Sequence, residues 1–180
     1  MRSEPLLTDA EFLLSRLGRP TPETTGRAIS NAYYALFHGL KHTANRALLG
    51  ATRTAETSAR WFDHSTMRAV CTWFNRTAAT RLPAKVTSLL SRPGYGGPVP
   101  DWLCSPDTKL VADAFVELQE ARHRADYSET PADRFTKLQA TQYIERARLA
   151  CAALSRLSNT EDGRLFLLWL LTGDKVISDR

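Results

Sequence analysis

Two groups of polar residues in this sequence have the types and spacing to bind a phosphate, stack a base or move a proton. The first lies between residues 27 and 45, where Arg27, Ser30, Asn31, Tyr34, His38, Lys41 and Asn45 recur at steps of about one helical turn. At 100° per residue these positions fall on one arc of a helix. A solvated helix flank usually carries Glu and Lys. This arc carries hydrogen-bonding groups, an aromatic, a histidine and two cations, and no carboxylate. Guanidinium and ammonium groups attract phosphate, and a tyrosine offers a face on which a base can stack. The arc reads either as a polar edge touching neighbouring helices or as one wall of a phosphate- or nucleotide-binding cleft.

The second group centres on Arg122. Leu110, Val111, Ala114, Phe115, Leu118, Ala121 and Ala125 form an apolar arc with helical period, and Arg122 projects within it. An unpaired buried guanidinium costs several kcal/mol, so Arg122 must find a partner or face a cleft. Asp126, four residues on, is the nearest candidate. Arg before Asp is the less favourable order for such a pair, so a partner from a second helix is expected as well. A structural ion pair that fixes a bundle and a cation held for an anionic ligand both fit. His123 lies about 100° from Arg122, at the edge of the same site rather than in the core.

The elements that must position these groups read as helices throughout. Thr8 and Glu11 have capping-box spacing ahead of Phe12, Leu13 and Leu17. A long helix is predicted from Thr24 or Thr25 to Leu49, with Gly50 as its stop and Ile29, Tyr33, Leu36, Phe37, Leu40, Ala44 and Leu48 as its apolar stripe. Ser65 is placed to cap a helix with the stripe Met67, Val70, Cys71, Phe74 and Ala78, ending near Pro83, and a short helix is expected at 84–91. Ser105–Pro106 and Thr130–Pro131 each signal a helix start, the second running to Leu157. Ser158 and Glu161 are expected to cap a last helix that Gly173 ends. No stretch alternates with period 2 for long. The prediction is an all-α, antiparallel up-and-down bundle, one domain over 1–180, with residues 158–180 as a C-terminal helical extension.

Two segments stand apart. The Gly/Pro-rich loop over 91–102 contains Arg92, Tyr95 and Trp102, and reads as a plain connection or a base-stacking lid. Its GYGG has no preceding strand and no following Lys-Ser/Thr, so it is not a phosphate-binding loop. The run of apolar residues at 165–171 cannot all hide on one face of a short helix. It either wedges into its own bundle or forms an interface anchored by Trp169.

Composition narrows the function classes. At 180 residues, 43 % hydrophobic and 24 % charged, the chain is long enough for a core and is not wholly disordered. No apolar run approaches the roughly 18 residues of a membrane span, and the first residues lack signal-peptide character. Cys71, Cys104 and Cys151 are odd in number and without CxxC spacing, which argues against a disulfide framework or a zinc site and for a cytoplasmic setting. Residues 1–100 carry a net charge of +7 and residues 101–180 carry −2, and 19 of the 24 basic residues are arginine. A basic half favours nucleic acid or a phosphorylated ligand, and arginine-rich genome composition is the competing explanation.

The string RAISNAYYALFHGLKH at 27–42 resembles the S-R-A-Y-Y-A-x-F-H helix of the HEPN domain family, and ARHRADYSE at 121–129 resembles the R-x-x-x-D-Y that follows it in one prokaryotic branch. The similarity spans roughly residues 25–157. The resemblance implies a helical bundle that forms a homodimer through the faces carrying these motifs. It further implies a setting in toxin–antitoxin or antiviral defence systems, beside a nucleotidyltransferase-type or other defence-complex partner. Many members are metal-independent ribonucleases whose signature is an Arg, four to six intervening residues, then a His.

This chain departs from that signature. Four to seven positions after Arg122 stand Asp126, Tyr127, Ser128 and Glu129, and Arg60 precedes His64 with one residue too few between them. The expectation is therefore a HEPN-like subunit that binds RNA or a nucleotide through Arg27, Asn31, Tyr34, Lys41, Asp126 and Tyr127, without metal or cofactor. The alternative is an active endoribonuclease that pairs Arg122 with His38 or His123 as proton carrier.

Overall fold

A computed structural model of the chain describes residues 3–15, 20–50, 52, 62–75, 105–128, 130 and 134–172. Among these residues there are six helices and no strand: α1 (Ser3–Ser15), α2 (Pro22–Leu49), α3 (His64–Asn75), α4 (Pro106–Tyr127), α5 (Lys137–Leu157) and α6 (Glu161–Thr172). The all-helical bundle predicted from periodicity is what the chain forms. The 84–91 helix, the Gly/Pro loop and Gly173 lie outside the described residues.

Several helix starts differ from the sequence expectation, each for a local reason. In α1, Thr8 is an interior residue whose hydroxyl donates to the Glu4 carbonyl at 3.0 Å. The helix starts earlier, with Pro5 tolerated in its first turn. Helix α2 starts at Pro22 because Thr21 is the N-cap, its hydroxyl accepting from Thr24 N–H at 3.2 Å, and proline is well suited to the first position. Gly50 ends it at φ +67°, a left-handed conformation that suits glycine. Asp63 rather than Ser65 caps α3, accepting from Thr66 N–H at 2.8 Å and from the Ser65 hydroxyl at 2.6 Å.

Helix α4 begins at the predicted Ser105–Pro106. Helix α5 begins at Lys137 rather than near Thr130. There Thr136 and Gln139 form a reciprocal capping box, with bonds of 3.2 and 2.9 Å, which outweighs the single earlier cue. Before α6 the Ser158 hydroxyl turns back to the Ser155 carbonyl, and Thr160 accepts from Gly163 N–H at 3.2 Å in its place.

Helix α2 is the centre of the bundle and packs against α1, α4, α5 and α6, while α3 packs on α4 and α6. Its predicted stripe supplies Ile29, Tyr33, Leu36, Phe37, Leu40 and Ala44 to the core. The apolar C-terminal run is taken up within the same chain. Phe166, Leu167, Trp169 and Leu170 are buried, and the Trp169 ring lies 5.3 Å from Phe74 and only Leu168, at 40 % exposure, reaches solvent substantially. Asp162 ties this helix to α4: its Oδ2 accepts from Thr108 Oγ1 at 2.7 Å and from Ser105 N–H at 3.1 Å. Cys71 and Cys151 are free thiols, both pushed up by burial, Cys151 to about 12.

Candidate functional site

The site forms where the polar arc of α2 faces the C-terminal turns of α4. The Arg122 side chain is 21 % exposed, so it is neither sealed in the core nor free in solvent. Its guanidinium carbon lies 5.5 Å from the Tyr34 ring centre and 5.8 Å from that of Tyr127, within range of cation–π attraction. Its Nε is 2.6 Å from Asp126 Oδ2, the i,i+4 partner expected from sequence. That N–H does not aim at the oxygen, and Nε finds no hydrogen-bond acceptor among the described residues. The contact is one of charge more than of hydrogen bonding. Burial works against the cation, and Tyr34, Asp126 and Tyr127 more than offset it, holding the charge firmly.

Asp126 bridges the two helices. Its other oxygen, Oδ1, accepts from the Ser30 hydroxyl of α2 at 2.8 Å. The second-helix partner that the Arg-before-Asp order called for is Tyr34, while Ser30 ties the carboxylate to the same helix.

Beside this pair opens a groove of about 460 Å³ lined by Arg27, Ser30, Asn31, Tyr34 and Asp126, with Asp9, Phe12 and Leu13 of α1 as the opposite wall. Four of the six predicted binding residues share it. Tyr127 lies on the Arg122 side and is 64 % exposed. Lys41 sits further along α2 with its ammonium 5.1 Å from the Phe37 ring centre, and Asn45 is buried. Sequence reasoning did not find the α1 wall.

The histidines divide. His38 stacks on Tyr34 at 6.1 Å and meets Phe37 edge-on at 5.4 Å. His123 is exposed and packs on Tyr127 at 4.9 Å. Each thus shares an aromatic neighbour with the guanidinium.

The histidine most deeply built into the cluster is His64, at the start of α3. Its ring stacks on Phe37 at 4.2 Å, meets Tyr34 edge-on at 6.2 Å, and its Nδ1 is 2.5 Å from the Tyr33 hydroxyl. The Gln119 side chain holds its carbonyl at 3.2 Å. Burial is the main cause lowering its pKa from 6.5, and the positive charges of Arg122 and Lys41 add to the effect against Asp63. Burial raises the Tyr33 phenol well above 10.0. Tyr33 therefore stays protonated, and which of the two groups donates is set by the His64 tautomer. The sequence signal that could have located this pair was the hydroxyl on Tyr33 within an apolar stripe, since a buried phenol needs a partner.

Among the described residues no three His, Cys, Asp or Glu side chains gather closely enough to hold a metal ion, and no helix is long and apolar enough to cross a membrane. No family model matches the chain, and no match is found among curated proteins or solved structures.

Proposed function

We propose that this chain is a HEPN-like subunit that binds RNA or a nucleotide on the α2–α4 face and works as a homodimer with a protein partner. A toxin–antitoxin or antiviral defence complex is the setting, and that assignment rests on the resemblance of the 27–42 and 121–129 strings alone. The binding reading rests on one observation: a guanidinium kept partly desolvated by two tyrosine rings and paired with Asp126, beside a groove that also carries Arg27 and Asn31. An arginine so placed is pre-ordered for phosphate.

A second reading, a metal-independent endoribonuclease, is favoured by the tyrosine-held His64 under the electrostatic influence of Arg122. In the tautomer whose Nδ1–H donates to the Tyr33 oxygen, neutral His64 keeps a free Nε2, which would take the proton of a ribose 2′-hydroxyl as that oxygen attacks the adjacent phosphorus. Arg122 would offset the charge on the phosphorane, and the bond to the 5′-oxygen would break, that oxygen taking a proton from water to leave a 5′-hydroxyl and a 2′,3′-cyclic phosphate. His38 and His123 are the other carriers for that step.

One experiment separates the readings: single-stranded RNA in EDTA, scored for retention and for cleavage, with Arg122→Ala, His38→Ala, His64→Ala and His123→Ala alongside. The binding reading expects intact RNA, weakened retention by Arg122→Ala, and a salt slope smaller by about 0.7. Cleavage lost in Arg122→Ala and in one histidine variant establishes the ribonuclease instead. Retention equal in wild type and Arg122→Ala overturns the assigned face.

A further inference from the structure

We infer that the groove between α1 and the Arg27–Tyr34 side of α2 holds one unpaired nucleobase of an RNA strand, with Arg27 on the adjoining phosphate. This rests on the RNA-binding reading and adds to it a base site, built partly by a helix that lies outside the 25–157 resemblance.

The volume, about 460 Å³, is that of a small-molecule site. Its two walls each present an aromatic ring, Phe12 from α1 and Tyr34 from α2, with Leu13 adding apolar surface. Phe12 is 60 % exposed, a large apolar face at a polar groove. Rings of this kind are what stack bases without regard to sequence.

Charge decides between a base and a polyphosphate. Asp126 is already matched by Arg122, and Asp9 lines the groove opposite Arg27, so the groove as a whole is close to neutral. A neutral groove suits an uncharged base better than a cluster of phosphates. Arg27 is exposed and makes no ion pair among the described residues, which leaves its guanidinium for a single phosphate. Asn31 presents a donor and an acceptor on one amide, the pairing that matches the amino and ring nitrogen of adenine.

The test compares equilibrium binding of an adenine oligoribonucleotide with an abasic oligomer of the same length and backbone. Wild type, Phe12→Ala and Asn31→Ala are used as full chains. Wild type is expected to hold the adenine oligomer about 5- to 150-fold more tightly, the range that stacking one base supplies. Phe12→Ala should remove most of that gap while leaving abasic binding unchanged. A thermal melt checks that each variant is folded, and Asn31→Ala, which leaves the α1 sequence unchanged, should narrow the same gap. Equal binding of the two oligomers by wild type overturns the base site and leaves RNA binding standing. A gap that survives both variants places the base elsewhere and overturns it too. If neither oligomer is retained, the RNA reading falls and the base site with it.

Discussion

Asp126→Asn separates a structural ion pair from a cation held for a ligand, because the two roles predict different responses to it. The substitution removes the negative charge beside Arg122 and keeps an oxygen able to accept from Ser30. At a separation near 4 Å two unit charges attract by about 4 kcal/mol at an effective dielectric of 20. The side chains here are 21 % and 31 % exposed, so solvent screening and side-chain entropy reduce the net value to about 0.5–1 kcal/mol. For a domain of this size that is a fall in Tm of about 1–4 °C. Arg122→Ala removes the same pair and two cation–π contacts at 5.5 and 5.8 Å. These add about 0.5–1 kcal/mol each, for a total near 2 kcal/mol.

Stability is read by urea denaturation and RNA affinity by titration, for both single variants and the double. If the guanidinium serves a phosphate, Asp126→Asn unmasks it: stability falls slightly while RNA affinity is kept or rises, and Arg122→Ala loses both. A structural pair predicts stability losses of the same size with RNA affinity untouched in all three proteins. The double-mutant cycle should give a coupling of about 0.5–1 kcal/mol. Asp126→Asn weakening RNA as much as Arg122→Ala, or a coupling of zero, refutes the account of this pair.

Other consequences concern the residues around it. The folded-state pKa of His64 is depressed, so its contribution to stability is full above the ordinary 6.5 and is lost as the pH falls below it toward the folded value. Unfolding free energy measured between pH 5 and 8 should fall toward the acid side, with a flatter slope in His64→Gln; an unchanged slope refutes the assignment. In Asp162, burial raises the pKa but hydrogen bonds from Ser105, Thr108 and Thr160 outweigh it. Asp162→Ala leaves the Ser105 amide unpaired and the buried Thr108 hydroxyl with only the Ser105 hydroxyl at 3.1 Å, and chemical denaturation should register a loss of about 2 kcal/mol. Two glycines should respond oppositely to alanine. A Cβ at Gly163 would lie 2.2 Å from the Leu157 carbonyl oxygen, which predicts a severely destabilised protein, whereas at Gly26 it meets Ala125 at an ordinary 3.5 Å. Gly26→Ala should therefore gain about 0.5–1 kcal/mol in the same measurement.

Much of the bundle was legible because helical period is written locally. The stripe from Ile29 to Ala44 and the start at Ser105–Pro106 need only neighbouring residues to be seen. Helix starts were misread where two local cues competed. Thr8–Glu11 has capping-box spacing but sits inside a helix, and Thr136–Gln139 made both bonds where Thr130 had offered only one signal. At the site, Arg122 and Asp126 were legible because both lie on one helix within a turn of each other. The wall supplied by Asp9, Phe12 and Leu13 was not, since no spacing in the chain relates residue 12 to residue 31. His64 enters the sequence reading only as a partner of Arg60 that fails on spacing. Its partners Tyr33 and Phe37 belong to another helix, and a motif defined by sequence distance cannot register them.

Adjacent tyrosines on α2 show how one helix serves both core and site. Tyr33 is fully buried and spends its hydroxyl on His64, fixing the start of α3 against the centre of the bundle. Tyr34, 100° around the helix, faces the groove and lies beneath the guanidinium. The two rings are in contact at 5.3 Å, and Tyr34 also meets the His64 ring edge-on, so a packed link runs from α3 to the ring beneath Arg122. Tyr33→Phe should report on that link: it removes the His64 bond, at a cost of about 1 kcal/mol, and leaves every group lining the groove in place. RNA affinity that falls along with stability in this variant would mean that α3 positions the site. Affinity that holds while stability falls would confine the role of Tyr33 to the core.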